Sequence, residues 1–149
     1  MIITSVEMNG TWVRAPFPIE YTVVPGTPIH FADSSSWMND SDGSIALVLI
    51  TLRGYASAQA ANKSYHGTIE HGTPLPVGDV AVGEEGSVYS IINSTLHLYG
   101  EYVTWNHSYS IVFHKMNYLV IITVAYQNGF QFSESEVLEM AENQASRIY

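Results

Sequence analysis

A chain of 149 residues fits one domain spanning 1–149, a size that buries about two thirds of its unfolded surface. A hydrophobic fraction of 46%, with 10 Tyr, 5 Phe and 3 Trp, excludes wholesale disorder. Charged residues make up only 13% and leave a net charge of -9, which repels nucleic acid and anionic lipid, and the lack of cysteine excludes disulfides, thiolate zinc sites and a Cys nucleophile.

Residues 1–44 are rich in proline and turn residues, from Pro16 and Pro18 to Asp33-Ser34-Ser35-Ser36 and Asn39-Asp40-Ser41-Asp42-Gly43. The intervening runs Ile2 to Val6, Thr11 to Val13, Ile19 to Val24 and Ile29 to Phe31 read as short or edge strands, because proline cannot donate to a ladder. Ile45 to Leu52 is almost continuously apolar, the pattern of a strand covered on both faces, and is expected at the sheet centre. The period then changes. Ala58, Ala61, Tyr65 and Ile69 share one helical face over Ser57 to Glu70, with Ser57 as N-cap and Gly72 with Pro74 as the stop, although Gly67 weakens the pattern.

From Val77 the chain reads as a meander. Strands are expected at Val77 to Val82, Ser87 to Ile92, Thr95 to Trp105, Tyr109 to His114 and Tyr118 to Tyr126. Between them lie the polar connections Gly83-Glu84-Glu85-Gly86, Asn93-Ser94, Asn106-His107-Ser108 and Lys115-Met116-Asn117. Tyr118 to Val124 is as apolar as the run from Ile45, so the two should be close in the sheet interior. Ser133-Glu134-Ser135-Glu136 is a capping box, and Val137, Met140, Ala141, Gln144, Ala145 and Ile148 then recur at helical spacing. The expected fold class is α+β: a mostly antiparallel sheet with two helices packed on it, in the order strands, helix, meander, helix, with 1–44 as the strand and loop part and 45–149 as the β-α-meander-α part.

Five of the eight asparagines stand in N-x-[ST] frames: Asn9, Asn39, Asn62, Asn93 and Asn106. With 26 Ser and Thr in the chain, chance gives about 1.4 such frames. The excess points to an exported, N-glycosylated chain, extracellular or at the cell surface. A cysteine-free and lysine-poor composition turns that expectation toward an archaeal surface rather than animal secretion. Met1-Ile2-Ile3-Thr4 lacks the basic and long apolar regions of a signal peptide, and no stretch approaches the ~18 apolar residues of a membrane span, so an exported form is expected to be mature or excised.

Val77-Gly78-Asp79-Val80-Ala81, the segment Ser110 to Val120, and Met140-Ala141-Glu142-Asn143-Gln144-Ala145 resemble secreted prokaryotic lipoprotein-type domains of the PsbP-like class, over roughly Ile45 to Tyr149. Where such domains usually have glycine in the hairpin turn, this chain has Met116-Asn117, and Asn tolerates a left-handed backbone. The resemblance implies roles in ligand binding, partner binding or assembly rather than one chemistry.

Familiar catalytic motifs are missing from the sequence. Gly78 to Gly83 lacks the Lys-Ser/Thr ending of a phosphate-binding loop, and there is no HExxH, GxSxG or EF-hand pattern. Asp40-Ser41-Asp42-Gly43 lacks the terminal Glu of a calcium loop and reads as a turn. Glu84-Glu85 reads as a solvated hairpin tip. His66 and His71 are five apart, off one helical face, while His30, His97, His107 and His114 match no metal spacing, so no metal and no cofactor are expected. Tyr99, Tyr102, Trp105 and Tyr109 form an aromatic stretch suited to sugar stacking, and with Glu101 they are the candidate ligand-binding residues. The expected function is a non-enzymatic surface module for binding or assembly, with a protein or a surface glycan as partner. The alternative is a small extracellular ligand-binding protein or hydrolase using a His/Glu/Tyr face of the meander.

Overall fold

The computed structural model describes residues 13–14, 29–41, 44–71, 75–98, 101–127 and 132–149. Asn9 and the expected strands Ile2 to Val6 and Ile19 to Val24 lie outside them. Among the described residues, seven strands form one antiparallel sheet: β1 (Val13–Arg14), β2 (Ile29–Ser41), β3 (Ser44–Tyr55), β4 (Gly78–Val80), β5 (Glu85–Leu98), β6 (Glu101–Lys115) and β7 (Tyr118–Tyr126). Their order across the sheet is β1-β2-β3-β7-β6-β5-β4, and the helices are α1 (Ala58–His71) and α2 (Glu134–Ser146). The α+β class and the expected element order hold. No described helix is long and apolar enough to cross a membrane.

The two apolar runs are neighbours, with β3 pairing β7 from Ala46↔Tyr126 to Gly54↔Tyr118. Both are covered on each face, which explains their unbroken hydrophobicity. Ala46, Val48, Ile50 and Leu52 with Val120, Ile122 and Val124 point to one side, where Val137, Ala141, Ala145 and Ile148 of the α2 segment close a core around Ile111 and Phe113. On the other side Ala61 and Tyr65 of α1 pack on Tyr55, Tyr89, Val112 and Leu119. A third cluster joins Leu47, Trp105 and Ala125 away from α1.

Both helices begin as their sequences dictate. Ser57 Oγ accepts from the Ala60 amide at 3.1 Å, and α1 continues through Gly67 to His71. At α2, Ser133 Oγ accepts from the Glu136 amide at 3.3 Å while Glu136 Oε2 accepts from the Ser133 amide at 2.7 Å, a reciprocal box. Lys115 Nζ reaches the Ala145 carbonyl at 2.8 Å, placing a cation at the negative end of the α2 dipole. Ser133→Ala is expected to cost about 1 kcal/mol in urea unfolding, since it removes one of the two acceptors of the Glu136 amide and the hydroxyl that donates to the Glu136 carboxylate. A loss near zero would mean that the box does not contribute.

Several local expectations are corrected. Residues 33–41, read as turn-rich, continue β2 as far as the pair Ser41↔Ser44, and Asp42-Gly43 between them lies outside the described residues. Asn93-Ser94 and Asn106-His107-Ser108 are not connections: β5 and β6 run through them, and the chain reverses between Leu98 and Glu101 instead. Thr95 to Trp105 is thus two arms of a hairpin rather than one strand. Polar sequence suggested turns, but the two segments lie across from one another in the long β5–β6 ladder, which carries the strands through both. Asn93 accommodates this with φ +54°, a left-handed conformation that Asn tolerates inside an extended segment. Val77 to Val82 shortens to Gly78–Val80. In the β6–β7 turn the positive φ falls on Met116 (+53°) and not on Asn117, whose side chain instead donates to the Tyr55 carbonyl at 2.9 Å.

Candidate functional site

The densest polar constellation among the described residues forms where α1 and the β4–β5 turn meet the end of β6. Gly83, at φ +69°, brings the turn against β6, and the Glu84 amide donates to the His114 carbonyl at 2.9 Å. That contact aims two acids at His114. The ring is buried (2% exposed) beneath Tyr65, with ring centroids 5.2 Å apart.

Asn62 and His66 stand one turn apart on α1 and share the face toward β5 and β6. Asn62 Nδ2 lies 3.1 Å from His114 Nε2 and 3.4 Å from Glu85 Oε1, and His66 Nε2 lies 3.2 Å from Glu85 Oε2. An amide NH2 can only donate, so His114 Nε2 is the acceptor and the imidazole proton sits on Nδ1. Nδ1 faces Glu84 Oε2 at 3.4 Å, close enough for the carboxylate to attract the N–H dipole but not aligned as a hydrogen bond. The other Glu84 oxygen accepts from the Met116 amide at 3.0 Å, which fixes the carboxylate in place. A carboxylate, a neutral imidazole and an amide therefore stand in line, with the half-exposed His66–Glu85 pair as their outer rim. An open groove of about 780 Å³ along α1 adjoins this rim, lined among the described residues by Ser57, Asn62, Lys63, His66, Glu70 and His71. The arrangement suits hydrogen bonding to a polar ligand, and no group of three metal-binding side chains occurs among the described residues.

A second constellation lies further along β5 and β6. Ser90 Oγ is 2.6 Å from His107 Nε2, the Tyr126 hydroxyl is 3.4 Å from His107 Nδ1, and that hydroxyl donates to the Phe132 carbonyl at 3.5 Å. His107 therefore bridges Ser90 and Tyr126, and the imidazole tautomer sets the direction of both contacts. The His107 ring packs on Tyr109 with centroids 4.2 Å apart.

The aromatic stretch does not gather into a platform in the described residues. Trp105 is buried (1% exposed) with Leu47 and Ala125, Tyr109 is half-buried against His107, and Tyr102 faces solvent. Glu101 opens β6 opposite Leu98, and Tyr99 lies outside the described residues. Of the sequon asparagines, Asn93 and Asn106 are exposed while Asn39 and Asn62 are half-buried. Glu84 and Glu85, read as a solvated tip, are the residues that reach His114 and His66. The signal for this was Gly83, whose left-handed turn folds the acids back toward β6.

Burial pushes the phenols of Tyr65 and Tyr89 above their ordinary value; nearby Glu85 and Asp79 add to it at Tyr65 against an opposing hydrogen bond from Ser87, and Tyr65 adds to it at Tyr89. Tyr109 is raised likewise, by burial first and then by Tyr126 and Glu134. The folded chain holds these protons more tightly than the unfolded chain does. The stabilisation is complete below the unfolded phenol value of about 10 and is lost as pH rises through the higher folded values. The melting temperature is expected to fall as pH rises above about 10, with part of the phenolate absorbance appearing only on unfolding. An unchanged melting temperature would contradict the assignment.

No family model matches this chain, and comparison with characterised proteins and with solved structures returns no match.

Proposed function

We propose that the protein is an exported, N-glycosylated, non-enzymatic module of an archaeal cell surface that binds a protein or surface glycan, and that residues 45–149 are of the PsbP-like class. The observation that carries this reading is the sequon distribution: five frames where about 1.4 are expected by chance, and no described acceptor asparagine in the core. Buried asparagines would have been incompatible with attached glycans. The groove along α1, with its anchored His66–Glu85 rim, offers a surface for polar contacts among the described residues. Proteinase added to intact cells is expected to remove the protein; protection until lysis would overturn the reading.

A second reading, a small hydrolase, has one specific observation in its favour, the Ser90–His107 contact at 2.6 Å. Nucleophile and base at that distance satisfy the first requirement of covalent catalysis. The binding reading expects no labelling of Ser90 by a fluorophosphonate. Stoichiometric labelling, abolished by His107→Ala, would favour the hydrolase.

A further inference from the structure

Resting on the export reading, we propose that the glycans are carried by the cross-strand pair Asn93 and Asn106, that Asn62 stays unmodified, and that the occupied pair guards the open edge of β5. The sequons differ in exposure: Asn62 is half-buried, whereas Asn93 and Asn106 are exposed. In glycosylation the amide Nδ2 forms a bond to the anomeric carbon of a lipid-carried oligosaccharide, the lipid phosphate leaves, and one amide proton passes to solvent. Asn62 Nδ2 has its two hydrogens directed at His114 Nε2 (3.1 Å) and Glu85 Oε1 (3.4 Å). A sugar there replaces one of those donors and occupies the space of the His66–Glu85 contact. The hydroxyl of the same sequon, on Ser64, is bonded to the Tyr55 hydroxyl at 2.6 Å. Both ends of that sequon are committed to holding α1 on the sheet.

Asn93 and Asn106 are exposed. The flanking pairs Ile92↔His107 and Ser94↔Trp105 set the two residues across from one another on neighbouring strands. Beside them, among the described residues, the sheet ends. The Val77 amide donates to the Val88 carbonyl at 2.8 Å, so the backbone polar groups of Val88 face away from β6, and by alternation so do those of Ser90 and Ile92. Among the described residues no strand pairs with β5 beyond Gly78↔Val88. Ile92, 71% exposed, lies on this stretch. An open edge carrying an exposed apolar side chain is a template for pairing with a second copy, and a bulky hydrophilic group one residue away prevents the approach.

The test is glycopeptide mapping of protein purified from the exporting cells, joined to size-exclusion chromatography of a variant. Glycan on Asn93, Asn106 or both, with Asn62 bare, is expected. Glycan on Asn62, or a bare Asn93/Asn106 pair in a chain glycosylated elsewhere, would overturn the assignment, whereas a chain with no glycan at all would overturn the export reading itself. Thr95→Ala with Asn106→Gln removes both sequons while keeping Asn93 at its left-handed position. This variant is expected to shift from monomer to dimer or larger species at a concentration where the glycosylated protein is monomeric, and an unshifted elution would overturn the guarding role.

Discussion

Ala141→Asp is expected to destabilise the protein by about 3–5 kcal/mol in urea unfolding. Ala141 is fully buried in the core that α2 closes over β3, β6 and β7, among Val137, Ala145, Ile111 and Phe113. A carboxylate at that position has no described cation to pair with in the cluster, and it must either remain charged in an apolar site or take up a proton at a cost of similar size. Ala141→Gly separates the contributions. It introduces no charge and is expected to cost about 1 kcal/mol from helix propensity. A loss below about 1 kcal/mol for the Asp variant would mean that the inner face of α2 is not part of the core.

Gly83→Ala is the other large effect. A Cβ at Gly83 would lie 2.3 Å from the His114 carbonyl oxygen and 2.9 Å from the Phe113 ring, at a backbone φ of +69° that favours glycine. The close neighbour is backbone, which cannot rotate away as a side chain does. Left-handed strain and the clash together are expected to cost about 3 kcal/mol. Relief requires moving the turn, which breaks the Glu84 amide contact with His114 and withdraws Glu84 and Glu85 from their histidines. Gly67→Ala is the control: nothing lies within 4 Å of its Cβ position on α1, so it is expected to stabilise by about 0.5–1 kcal/mol. Chemical denaturation of the pair measures the contrast directly, and equal stability of the two variants would contradict the turn geometry.

The elements legible in the sequence are those whose pattern and environment agree. Ile45 to Leu52 and Tyr118 to Tyr126 are uniformly apolar because each is covered on both sides by a different helix or cluster. Ser133 and Glu136 announce α2 through a local, reciprocal pair of bonds. Failures occur where distant partners override local composition. Asn93 and Asn106-His107-Ser108 have turn chemistry, yet the β5–β6 ladder carries extended backbone through both, with one left-handed residue absorbing the conflict. The polar constellation was illegible for a related reason: Asn62, Glu84 and His114 come from a helix, a turn and a strand, so no spacing rule joins them. The same limit applied in reverse to Tyr102, Trp105 and Tyr109. Their closeness in sequence suggested a shared surface, but Trp105 turned inward to Leu47 while Tyr102 faces solvent.

The proposed export and glycosylation are tested most directly by the intact mass of the protein from its own cells before and after chemical deglycosylation. A decrease equal to the mass of one or more whole oligosaccharides is expected. An identical mass before and after treatment would contradict it.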